Sequence, residues 1–308
     1  MVRARRPSRQ CRWSRASLRA PGPPPAGHGR ATLRAFLASA HGWEGTVAPI
    51  VTHRFGPAGA PRLVLVHGLT DAGTTWPDAV GRWQARWPLL AVDLRGHGAS
   101  PRFTDDEPGD VAQRWTRDLR ELLASLPEPP ALVGHSLGAH LSLSVAAAAP
   151  GLVRAVVLED PPLPCPGDND SLPEFQAQQH RFLDAFAGGT DAEIGRMAAE
   201  TPWSAREIHA WAACKPFVER AMIDRLELPE RDWPALLETL AVPTLFVLPA
   251  LGALAPFAAR TSNPNVEAVV IDGAGHCVRR DAPAAYHAVV DPFLARHLTV
   301  DGPASQAR

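Results

Sequence analysis

Lysine is almost absent from this 308-residue chain: of 31 basic residues, only Lys215 is not an arginine. Beside 32 prolines and abundant alanine, that reads as a coding bias rather than a functional demand. Neither sign of charge is in excess. The formal net charge is −1, so the whole-molecule field favours neither nucleic acid nor an acidic membrane as partner. Cysteine is scarce too, and Cys11, Cys165, Cys214 and Cys277 form no CxxC pair and no metal-ligand spacing. That pattern excludes a disulfide framework and a zinc module, and it suits free thiols in an intracellular, cytoplasmic protein. No apolar run approaches the ~18 residues of a membrane span. What remains, 45% hydrophobic and 20% charged residues, is the balance of a globular domain, long enough for one large α/β unit with an insertion.

The first 45 residues stand apart. They are rich in Arg, Pro and Ala and contain no acidic residue before Glu44. Arg5-Arg6 is not followed by an apolar stretch, which argues against a twin-arginine export signal. The segment reads as a disordered tail or an upstream extension. From residue 46 onward, short runs of Val, Leu and Ile alternate with helix-length segments, the pattern of a parallel sheet covered by helices. Strands are expected at Arg62–Val66, Leu89–Val92, Ala131–Val133, Ala155–Leu158, Thr244–Leu248 and Glu267–Ile271. Helices are expected at Asp110–Leu126 and Ala139–Ala148, and a last one from Pro283, with Asp281 near its start and Pro292 kinking or breaking it. Between Pro161 and Ala241 no strand-like run occurs, while Ser171–Phe186, Asp191–Glu200, Ala205–Cys214 and Pro216–Leu226 have helical character. The expected organisation is therefore a tail (1–45), a first core part (46–162), an all-helical cap (163–240), a second core part (241–299) and a short C-terminal tail (300–308).

Three short stretches carry chemistry. Gly134-His-Ser136-Leu-Gly138 is G-x-S-x-G placed directly after a strand and before a helix. So sharp a turn needs small neighbours, holds the serine in a strained conformation and exposes its hydroxyl. The following helix start favours developing negative charge there. His67-Gly68-Leu69 ends another strand, and Gly68 lets the backbone turn the Leu69 amide toward an oxyanion, with the Leu137 amide as second donor. Asp272-Gly-Ala-Gly-His276 ends a third strand and presents a histidine on a glycine turn, where a serine needs its base. His67 and His135 read as structural. Cys277 follows His276 directly and reads as a packing residue.

These stretches resemble the α/β-hydrolase family, in its cap-bearing esterase-like and C–C-hydrolase-like subgroup. VHGLTDAGTTW (66–76), DLRGHGAS (93–100), GHSLG (134–138), VLEDPP (157–162) and GAGHCVRRD (273–281) carry the likeness. The resemblance implies a mostly parallel, usually eight-stranded sheet, a helical cap after its sixth strand, and no cofactor or metal. It makes Arg95 and His97 structural. It also sets the chain apart from relatives with an aspartate at the elbow.

One expected group is missing. The family usually keeps its acid after the seventh strand, here Thr244–Leu248, yet no Asp or Glu occurs between Pro249 and Val266. Three explanations stand: an acid at the end of strand six, a Ser136–His276 dyad with water orienting the imidazole, or lost catalysis in a small-molecule binding protein. For the first, Asp160 lies at the strand end before a proline, and Glu159 should point to the opposite side of the sheet. Asp272 is a weaker candidate. The expectation is a cofactor-independent serine hydrolase for a small, uncharged or modestly polar ester-like substrate. Ser136, His276 and Asp160 would be its catalytic residues, with backbone donors at Leu69 and Leu137. A C–C bond hydrolase acting on a diketone-like compound is the nearest alternative. Trp203, Phe182, Trp211 and Phe217 line the pocket or, more in keeping with their helical spacing, form the core of the cap. Oligomeric state is not legible.

Overall fold

A computed structural model of the chain describes residues 50–104, 111–165, 168–250 and 261–298. Both expected tails, and the 251–260 stretch in which an acid was sought, lie outside the described residues. The sheet has seven strands among those residues, where the resemblance implied eight. They are β1 (Thr52–Phe55), β2 (Leu63–Val66), β3 (Leu89–Val92), β4 (Ala131–His135), β5 (Ala155–Glu159), β6 (Thr244–Pro249) and β7 (Val266–Ile271), in the order β1-β3-β2-β4-β5-β6-β7. Only β1 runs antiparallel, on β3. The strands taken as sixth and seventh above are thus β5 and β6.

Side-chain alternation explains why these runs are strands. In β2, β4, β5 and β6, successive residues enter opposite apolar layers: Val64, Leu132, Val156 and Phe246 on one face, Leu65, Val133, Val157 and Leu245 on the other. Helices α2 (Val111–Ser125) and α3 (Leu137–Ala148) cover the first face with Trp115, Leu119 and Leu141. On the second, Trp76 just before α1 (Pro77–Trp83), Trp83 within it, and Tyr286 and Phe293 of the C-terminal helix do the same. Each such fully buried large side chain contributes about 1.5–3 kcal/mol. A parallel sheet covered on both faces places its strand ends, and the loops that follow them, along one edge.

The segment between β5 and β6 is helical, with α4 (Leu172–Asp184), α5 (Asp191–Glu200), α6 (Ala205–Cys214), α7 (Ala221–Asp224) and α8 (Trp233–Glu238). The helix expected over Pro216–Leu226 is instead a 3₁₀ turn, Lys215–Phe217, followed by the single turn of α7. Phe182, Phe186, Trp203 and Trp211 pack edge to face with one another, so three of the four aromatics singled out from sequence form the insertion's own core. Phe217 is exposed.

After β7 come α9 (Val278–Asp281) and α10 (Pro283–Leu298). Pro292 does not break α10. The carbonyl it deprives of a partner belongs to Ala288, an exposed residue, while Tyr286, Val290, Phe293 and Leu294 hold the opposite face in the core. Asp281 does not serve α10: its carboxylate accepts the Gly275 amide at 2.8 Å and the Trp203 indole N–H at 2.6 Å.

Candidate active site

Ser136 sits between β4 and α3 with φ 51° and ψ −118°, a left-handed backbone that costs a non-glycine residue about 1–3 kcal/mol. The turn is held on both sides. Its amide donates to the Glu159 carbonyl at 2.9 Å, and its carbonyl accepts the Ala139 and His140 amides. Gly138 is required because α3 crosses the end of β2 so closely that a Cβ there would lie 2.0 Å from the Val66 carbonyl oxygen. Leu137 opens the helix, where the first N–H groups have no intrahelical acceptor.

His276 follows β7 on the glycine turn. Its Nδ1–H donates to Asp160 Oδ2 at 2.7 Å, with the carboxylate buried and the imidazole half-exposed. Asp160 also has a positive φ, 40°, immediately after β5. Desolvation pulls the His276 pKa down, but the hydrogen bond and charge of Asp160, with the charges of Glu159 and Asp71, make the net shift upward from 6.5. The ring lies 4.9 Å from that of His135, whose Nε2–H donates to the His276 carbonyl at 3.2 Å. Burial, with the neighbouring His276, drives the His135 pKa well below 6.5, so this ring is a neutral strut beside Ser136 and not a second base.

The loop after β2 is equally constrained. His67 accepts the Leu94 amide on Nε2 and donates from Nδ1 to the Gly68 carbonyl at 2.7 Å. The Asp71 amide donates to the same carbonyl at 3.1 Å. In a trans peptide the N–H opposes the C=O, so gripping the Gly68 oxygen turns the Leu69 N–H the other way. A Cβ on Gly68 would lie 2.9 Å from His135 Nδ1 and 3.4 Å from Ser136 Cβ, which places this loop against the serine turn. His97 Nε2–H holds the Leu69 carbonyl, while Arg95 pairs with buried Asp118. Both act as scaffold.

Sequence reasoning left Glu159 without a partner and missed the ion pairs around it. Glu159 Oε1 accepts the Arg279 amide at 2.8 Å, so consecutive carboxylates grip one loop, Glu159 by its backbone and Asp160 by its imidazole. Complete burial pushes the Glu159 carboxyl up to about 7 despite Arg279. Asp71, Glu207, Lys215, Arg279 and Arg280 are also buried here. Asp272 is exposed on the turn before His276.

Burial pushes the thiol of Cys277 up to about 12 and that of Cys214 up to about 11, which leaves no thiolate at neutral pH. Treatment with iodoacetamide at pH 7.5 is therefore expected to leave Cys214 and Cys277 unalkylated, as peptide mass mapping reports. Rapid alkylation of Cys277 in the folded protein would contradict this.

A strained serine between a parallel strand and a helix, with a histidine and a carboxylate brought up from neighbouring strand ends, defines the nucleophile-elbow class of α/β proteins. Residues 63–289 match the sequence profile of the Alpha/beta hydrolase family, and the chain belongs to it. Among curated relatives, Lipase LipV of Mycobacterium tuberculosis is 36% identical over 156 residues, 48% of this chain and 56% of that protein. The 2-(acetamidomethylene)succinate hydrolase of Mesorhizobium japonicum is 28% identical over 76% of this chain and 88% of its own length. The solved structure of E-2-(acetamidomethylene)succinate hydrolase superposes with a TM-score of 0.61 at 23% identity, covering 80% of this chain and 94% of that one. Among the described residues, no helix is long and apolar enough to cross a membrane, and no cluster of His, Cys, Asp and Glu is arranged to hold a metal.

Proposed function

We propose that the protein is a serine hydrolase cleaving a small, uncharged ester-like substrate through an acyl-enzyme on Ser136. The observation that carries this reading is the 2.7 Å hydrogen bond from His276 Nδ1 to Asp160, on a loop braced against the residue that precedes Ser136. With Nδ1 so engaged, His276 Nε2 is the free basic nitrogen. It takes the hydroxyl proton as Ser136 Oγ attacks the acyl carbon, and Asp160 stabilises the imidazolium. The Leu69 and Leu137 amides receive the oxyanion. Collapse expels the leaving alcohol with the proton from His276. A water, deprotonated in turn by His276, then releases the acid and restores Ser136.

The insertion between β5 and β6 serves as the cap. Lys215, Arg279 and Arg280 each face a carboxylate within 4 Å, which favours an uncharged substrate. A binding protein that has lost catalysis is the weaker reading, because the contact of Asp160 with His276 supports an acid in the usual role.

The test is active-site labelling. A fluorophosphonate probe is expected to modify the wild-type protein at Ser136 and to leave Ser136→Ala unlabelled. Absence of Ser136-dependent labelling would sink the reading.

A further inference from the structure

The chain's lone lysine is wholly buried. In a sequence that uses arginine at every other basic position, that site calls for a compact ammonium rather than a planar fork. Lys215 lies just after α6, in the helical insertion, yet both of its oxygen partners belong to the loop after β2. Nζ donates to the Thr70 carbonyl at 2.8 Å and to Asp71 Oδ1 at 2.7 Å, with the Trp211 ring centroid 5.0 Å away.

Lys215 also begins a line of six buried ionisable groups, in which cations alternate with carboxyls. Asp71 Oδ2 meets Arg280 at 3.1 Å, and Arg280 Nε donates to Glu207 at 2.8 Å. Glu207 lies 3.7 Å from Arg279, and Arg279 lies 3.6 Å from Glu159. Three cations and three carboxyl groups thus run from the insertion to the end of β5, beside Asp160. Both guanidinium groups also donate to the Thr75 carbonyl. Arg280 stacks on Trp203 and Arg279 on Trp76. The second oxygen of Glu207 accepts the Asp78 amide at the start of α1. Breaking such a buried series at one member strands its neighbour's charge, so the members move together or not at all.

From this geometry we propose that Lys215 is a positioning residue for the oxyanion site, acting on the Leu69 amide through Asp71. The inference rests on the serine-hydrolase reading above. Lys215 and Arg280 fix the Asp71 carboxylate, the Asp71 amide holds the Gly68 carbonyl, and the opposed N–H of that peptide is the Leu69 donor. Each link is a contact described above. The insertion therefore does more than roof the site, because its one ammonium sets where an oxyanion donor points. Donors of this kind work through their placement before reaction, so slack in the loop weakens transition-state binding more than substrate binding.

The experiment compares wild type with Lys215→Met on a p-nitrophenyl ester, alongside hydrogen exchange of the 69–71 amides. Turnover is expected to fall about 10- to 100-fold with KM changed less than about threefold. Exchange at residues 69–71 is expected to quicken about tenfold or more while α2 stays protected. Should Lys215→Met fail to fold, Lys215→Gln, which keeps a donor for the Thr70 carbonyl, is read by the same criteria. Turnover within about threefold of wild type, a loss confined to KM, or unchanged exchange would overturn the proposal. If wild-type turnover proves independent of Ser136, the hydrolase reading fails, and the exchange result still decides whether Lys215 holds the loop.

Discussion

Replacing Asp160 by asparagine is expected to lower ester turnover about 10³–10⁴-fold at neutral pH while leaving the fold intact. The side chains are nearly isosteric, and asparagine tolerates the positive φ that Asp160 adopts. What is lost is chemical. An amide presented to Nδ1 no longer enforces the tautomer with a free Nε2, and it supplies no counter-charge to the imidazolium. The pH profile provides a second, independent readout. His276 acts as a base only when neutral, so kcat/KM rises with pH through its pKa, which lies above 6.5 because Asp160, with Glu159 and Asp71, offsets desolvation. Removing the Asp160 carboxylate takes away the largest upward influence, and the acid limb of the profile should move to lower pH. Measuring kcat/KM from about pH 5 to 9 for both proteins tests both points. Unchanged turnover and an unmoved limb would take Asp160 out of the mechanism and return the site to a serine–histidine dyad.

The largest effect on stability is expected at Gly138. An alanine there would bring its Cβ to 2.0 Å from the Val66 oxygen, 2.5 Å from the Val66 carbonyl carbon and 2.6 Å from the His67 oxygen. All three are backbone atoms of β2 and the loop behind it, so no rotamer change relieves the clash. Either α3 lifts from the sheet or β2 shifts beneath it. Strain of this kind costs about 4 kcal/mol or more, a drop in Tm on the order of 10 °C for a domain of this size. Gly195→Ala in α5 is the matched control, since a Cβ there meets nothing within 4 Å, and helix propensity predicts a gain of roughly 0.5–1 kcal/mol. Thermal unfolding of both variants decides the matter. A Gly138→Ala protein that melts with wild type would mean that the elbow is not packed as described.

Much of the fold could be read from residue order because local physics wrote it twice, in composition and in alternation. The strands β2 to β7 are apolar runs whose odd and even members go to different layers, so their ends came out within two residues. β1 went unread because Thr52–Phe55 is a half-exposed, polar edge pairing antiparallel, with no apolar run to mark it. Helix α8, six residues around Trp233, is too short for periodicity to register. At the site, Ser136 and His276 stood out because turn chemistry surrounds them with glycine. Alternation predicts opposite sides for Glu159 and Asp160, yet Asp160 leaves the strand at a φ of 40° and both carboxyls reach the one loop that carries His276 and Arg279. The six-group series was beyond reach. Asp71 and Arg280 are 209 positions apart, and nothing local distinguishes a buried carboxylate from a solvated one. The only hint was the solitary lysine.

In the proposed mechanism the acid stands at the end of β5, so the three reacting side chains come from the ends of β4, β5 and β7. β6, which lies between the last two, carries none of them. On that mechanism the sequence that follows β6 has no proton to move. In this chain it reads Leu251-Gly-Ala-Leu-Ala-Pro256 and onward, without one carboxylate. Changes of composition between residues 251 and 260 are therefore expected to leave proton transfer undisturbed. The position of one aspartate thus decides which part of the sequence must keep a carboxylate and which need not.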